Sequence, residues 1–116
     1  IMTVRECYAS LGEDYDCVAD RFGDDATVRY FCGRFLEDRS FSVLTDAMTR
    51  GDGEAAFRAV HTLKGVCLNL GFGQLWKASS DLTEYLRGKS DAIGCDALWS
   101  VLVREYRRVA DVLRML

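Results

Sequence analysis

The sequence contains no proline and a single histidine, His61, among 116 residues. Without proline, no residue locks φ or removes a backbone donor, so glycine is left as the strong local punctuation. No stretch alternates apolar and polar residues as a half-buried strand would. No apolar run approaches the length of a membrane span, and the opening Ile-Met-Thr-Val-Arg-Glu lacks the pattern of a secretory signal. There is no basic tract and the formal net charge is -3, so electrostatics favour neither nucleic acid nor an anionic membrane surface. A cytoplasmic protein with no membrane insertion is expected. There is also no Gly-rich nucleotide loop. The five cysteines, Cys7, Cys17, Cys32, Cys67 and Cys95, form no Cys-x-x-Cys pair, which argues against a disulfide framework or zinc site and for small apolar residues in a reducing compartment. A metal- or haem-binding bundle would need further inward histidines, so no metal and no cofactor are expected.

What is present suits one core. At 49% hydrophobic and 28% charged residues, the chain is expected to form a single helical domain over 1–116. A first helix is expected over about 2–11, with Val4, Cys7 or Tyr8, and Leu11 inward, ending at Gly12. Asp14 can cap a second short helix that buries Tyr15, Val18 and, at its end, Phe22 before Gly23, the two helices together covering one end of a bundle. Asp24 and Asp25 open a third helix, whose Val28, Phe31, Cys32, Phe35 and Leu36 keep an inward helical spacing. Gly33 inside it suggests close approach of a neighbouring helix. A bend near Ser40 precedes inward Phe41, Leu44, Ala47 and Met48, and Gly51-Asp52-Gly53 then turns the chain into the next helix. Gly71 is placed to end that helix in a left-handed conformation, with Phe72 folding back. The next helix presents Leu75, Ala78 or Ser79, Leu82 and Leu86, and ends near Gly88. The last presents Leu98, Val101, Leu102, Val109, Val112, Leu113 and Leu116. The expected architecture is all-α: an up-and-down four-helix bundle with additional short N-terminal helices.

The stretch Val60 to Gly71 reads Val-His-Thr-Leu-Lys-Gly-Val-Cys-Leu-Asn-Leu-Gly. As a helix it turns Val60, Leu63, Cys67 and Leu70 to one face and His61, Lys64, Gly65 and Leu68 to the other. The histidine therefore points outward. A glycine inside a helix costs about 1 kcal/mol relative to alanine, so Gly65 implies a need for the missing side chain, namely clearance beside the imidazole. Lys64 places an ammonium near the ring, which favours the neutral, nucleophilic imidazole and would offset the charge of an attached phosphoryl group. Together the three residues suit a phosphoryl acceptor.

This stretch resembles the histidine-containing phosphotransfer (HPt) domains of two-component phosphorelays. The matching residues are His61, Leu63, Lys64, Gly65, Leu70 and Gly71, followed by Leu75 and Leu82. Looser agreement extends through Phe22-Gly23-Asp24-Asp25, Phe35-Leu36-Glu37-Asp38 and Gly51-Asp52. The resemblance implies a carrier, with no ATP-dependent kinase activity of its own, that accepts a phosphoryl group on His61 from a receiver-domain aspartate and passes it to another receiver. Lys64 would stabilise the phosphoryl charge and Gly65 would give clearance. The implied partners are receiver domains and a hybrid sensor kinase, and the magnesium ion would belong to the receiver.

On the helical wheel Phe57 and Leu68 project to the side of His61 and are candidates for receiver docking. Gln74 and Arg87 are candidates to contact the phosphoryl group or the ring, with capping of the following helix an equal alternative for Gln74. Val60 and Cys67 replace smaller family residues but face inward. Thr83 occupies the region where some members present a glutamine or other polar side chain that orients the histidine, and threonine is shorter. The alternative function is a helical docking module that carries no phosphate, against which the combination of His61, Lys64 and Gly65 speaks.

Overall fold

Capping chemistry divides the chain where the glycines and aspartates stand. The computed structural model describes residues 1–116 and holds seven helices and no strand. Helix α1 (Val4–Leu11) is opened by Thr3, whose hydroxyl accepts from the Glu6 amide at 3.1 Å while the Glu6 carboxylate accepts from the Thr3 amide at 2.9 Å. This reciprocal cap starts the helix two residues later than the apolar pattern suggests. Asp14 accepts from the Cys17 amide at 3.3 Å to open α2 (Tyr15–Phe22), and Asp24 accepts from the Thr27 amide at 2.7 Å to open α3 (Asp25–Glu37). The bend expected near Ser40 is a full break: Asp38 is extended, its carboxylate accepts from the Ser40 amide at 2.8 Å, and α4 (Ser40–Arg50) starts afresh. Asp52 caps α5 (Gly53–Leu70), which is followed by α6 (Gly73–Leu86) and α7 (Asp96–Leu113).

Helix α5 packs most extensively on α6 and next on α4, and α6 packs on α7. The bundle closes where Phe41 of α4 stacks on Tyr106 of α7, ring centres 3.8 Å apart and planes within 3°. Helices α4 to α7, with α3 packed on both α5 and α7, thus form the up-and-down bundle, and α1 and α2 are the additional short N-terminal helices. Fully buried Tyr8 of α1 donates its hydroxyl to the Leu70 carbonyl at 2.6 Å and stacks on buried Phe72, so the N-terminal helices cover the end where α5 turns into α6. The two chain ends adjoin: the Met2 amide donates to the Met115 carbonyl at 2.6 Å and Arg29 donates to the Leu116 carbonyl at 3.1 Å.

Three inward assignments need correction. Phe31 is 39% exposed and packs its ring on Phe22 at 5.1 Å, because Val28, Cys32 and Phe35 alone define the buried stripe of α3. Val101 is 38% exposed, since the inner stripe of α7 runs through Leu102, Val109, Ala110 and Leu113. Gly33 is not at a helix contact: a Cβ there would meet no heavy atom within 4 Å, and nothing in the structure explains the glycine. Both members of each undecided pair, Cys7 and Tyr8, Ala78 and Ser79, are buried. All five thiols are free, four of them are buried, and burial pushes the Cys32 thiol up to about 11. No helix is long and apolar enough to cross a membrane.

Candidate functional site

Helix α5 is pinned at both ends before it presents anything. At its start the Gly53 amide donates to the Ser90 carbonyl at 3.1 Å and the Ala92 amide to the Gly51 carbonyl at 3.2 Å. The α6–α7 loop lies so close that a Cβ on Gly53 would collide with the backbone of Asp91. At its end Gly71 adopts φ +71°, the Gly71 amide donates to the Leu68 carbonyl at 3.3 Å, and the Phe72 amide donates to the Cys67 carbonyl at 3.0 Å. Arg21 of α2 adds guanidinium hydrogen bonds to the Leu68 carbonyl, at 3.0 Å, and to the Asn69 carbonyl. A cation at these last carbonyls also complements the helix dipole.

Between these anchors Val60, Leu63, Cys67 and Leu70 are buried. His61, Gly65 and Leu68 are exposed, Leu68 at 57%, and Lys64 is half-buried. The outward face read from the sequence is therefore the outward face of the folded helix. A Cβ at Gly65 would meet no heavy atom within 4 Å. Nothing inside the protein demands a glycine there.

Phe57 departs from the expectation of an exposed docking residue. It is half-buried, its ring lies 5.9 Å from the His61 ring at 20°, and the Arg87 guanidinium sits 5.1 Å above its centre. Arg87 stands just past the end of α6 and is itself held: its Nε and Nη2 donate to the two carboxylate oxygens of Glu84 at 3.1 and 3.0 Å. The hydrogen bonds and charge of Arg87 hold the Glu84 carboxyl below the usual carboxylate range, and nearby Lys64 and His61 lower it further.

Two other residues singled out from the sequence are turned to different uses. The Gln74 side-chain amide donates to the Leu11 carbonyl at 2.8 Å, and its backbone amide donates to Glu13 at 3.0 Å, so Gln74 braces α1 against α6 and does not attend the imidazole. Thr83 is fully buried and donates its hydroxyl to the Ser79 carbonyl at 2.7 Å. The polar neighbour of the site from α6 is instead Glu84, one residue further on. Sequence reasoning passed over Glu84, although its spacing of three from Arg87 marks a helical ion pair. It also passed over Arg21, which has no local signal because its partners lie a whole chain segment away.

Chemically, the arrangement offers an exposed imidazole, a half-buried lysine three residues on, a guanidinium over the neighbouring Phe57 ring, and open space at Gly65. None of the five main surface clefts is lined by His61, Lys64 or Gly65. Residues 34–112, well over half of the chain, match the family model described as the Hpt domain. No curated protein and no solved structure gives a significant match.

Proposed function

Because the chain belongs to the Hpt domain family, whose members carry out histidine phosphotransfer in phosphorelays, we propose that it relays a phosphoryl group through His61 between receiver-domain aspartates. The observation that carries this reading is the exposed His61 beside the empty space at Gly65, both within the matched residues. With its proton on Nδ1, the neutral ring attacks phosphorus through Nε2. The new N–P bond forms as the P–O bond to the receiver aspartate breaks and the carboxylate leaves with the electron pair. The ring carries a positive charge until the Nδ1 proton departs, and Lys64 and Arg87 offset the phosphoryl charge. A second receiver aspartate reverses the step.

None of the main clefts is lined by His61, which suits a partner that brings its own surface. Leu68 supplies apolar contact, Gly65 lets the receiver approach, and the magnesium ion is the receiver's. The protein has no kinase reaction of its own in this scheme and acts in the cytoplasm with receivers and a hybrid sensor kinase.

The test is transfer of label from a panel of phosphorylated receivers in the presence of magnesium, comparing wild type with His61→Gln. Label that is acid-labile and base-stable should appear on the wild type and be absent from the variant, with helicity unchanged. Binding of receivers without any label would replace the relay by a docking module.

A further inference from the structure

We propose that Phe57 is a positioning residue, its ring forming a platform, clamped by the Arg87–Glu84 pair, that fixes the imidazole of His61 for attack. The inference rests on the phosphorelay reading of His61. In an α-helix each Cα–Cβ bond tilts toward the N-terminus, so a side chain leans over the residue four positions before it. His61 therefore leans over Phe57, and the near-parallel rings 5.9 Å apart are the result. By the same rule the residue that would lean over His61 is residue 65, which is glycine with open space around it. The imidazole thus has a floor and no ceiling.

No hydrogen bond holds either ring nitrogen, and the buried Thr83 hydroxyl is committed to Ser79. An exposed imidazole without a tether rotates freely about two side-chain bonds, and reaction then waits for the productive rotamer. Stacking supplies the missing restraint without occupying the nucleophilic nitrogen. For it to do so the Phe57 ring must itself be fixed. Phe57 packs against the core, and the Arg87 guanidinium, 5.1 Å over its ring, is directed there by two bonds to Glu84, at 3.1 and 3.0 Å. Half-buried Phe57 has little surface left for a partner, whereas Leu68 is 57% exposed.

The deciding experiment measures single-turnover transfer from a phosphorylated receiver, receiver affinity, and the Hα–Hβ couplings of His61 in the free protein, for wild type, Phe57→Leu and Phe57→Tyr. Phe57→Leu keeps an apolar side chain and removes the stacking face. The saturating transfer rate should fall about fivefold to tenfold with receiver affinity within about twofold of wild type. The couplings should change from those of one rotamer to averaged values, and Phe57→Tyr should restore both rate and couplings. Weaker receiver binding with an unchanged saturating rate would overturn the proposal in favour of docking, and unchanged couplings in Phe57→Leu would overturn the platform. Failure of the wild type to accept phosphate would instead remove the relay reading, while the couplings still report on the platform.

Discussion

Gly65 and Gly71 lie within two turns of each other, and the family resemblance marks both, yet they answer to opposite demands. At Gly71 the backbone is left-handed, and a Cβ would run into the Val18 side chain of α2, with Tyr8 also close by. At Gly65 the backbone is ordinary helix and the surrounding space is empty. The first glycine is required by the fold and the second is not. Gly33 has the same open surroundings, so what sets Gly65 apart is its place one turn after the exposed His61, where a missing side chain leaves room for a docking partner. The same contrast separates the two regions around them. The end of α5 is sealed by Arg21, Tyr8 and Phe72, whereas the His61 ring at its middle stacks on Phe57 on one side and faces open space at Gly65 on the other.

Breaking the sealed region should have the largest effect. Gly71→Val combines a strained backbone with a collision, and should cost about 3 kcal/mol or more in urea unfolding. A loss below about 1 kcal/mol would show that the turn can rearrange. Gly65→Ala should sharpen the contrast by acting in the opposite direction. It should stabilise the fold by about 0.5–1 kcal/mol, because alanine is the better helix former, while slowing phosphoryl transfer. A stabilised protein with full transfer would mean that a receiver does not need the clearance.

The smallest effect expected is on acidification. The Asp14 carboxyl lies below the usual carboxylate range because it accepts hydrogen bonds from the Cys17 side chain and amide. A folded value below the unfolded one means that this contribution is complete above the unfolded pKa and drains away as pH falls through the folded one. Below about pH 4, α2 should therefore fray from its start, seen as faster amide exchange in α2 relative to the middle of α5. Equal changes in both regions would argue against a local cap effect.

Much of this was legible in the chain because it depends on local rules. The apolar period placed Val60, Leu63, Cys67 and Leu70 inside and His61 outside, and the aspartates before α2 and α3 act as the caps their positions suggested, while Asp52, read only as part of a turn, also caps α5. Gly71 ends α5 with Phe72 folded back beneath it. What the sequence hid depends on which elements meet. Phe57 reads as exposed on a lone helix, and only α6 brings Arg87 over it. Gln74 lies just beyond the histidine helix in sequence, but α1 claims its amide. Thr83 and Glu84 differ by 100° of helical turn, enough to send one into the core and the other to the site.

The hydrogen bond between Met2 and Met115, with Arg29 reaching Leu116, makes the folded polypeptide almost a closed ring. A few glycines would join its ends with little loss of loop-closure entropy, so circularly permuted forms of this bundle are accessible. A permutant opened at the α3–α4 break at Asp38 and Arg39 would leave α5 and α6 contiguous, and with them every group now gathered around the imidazole.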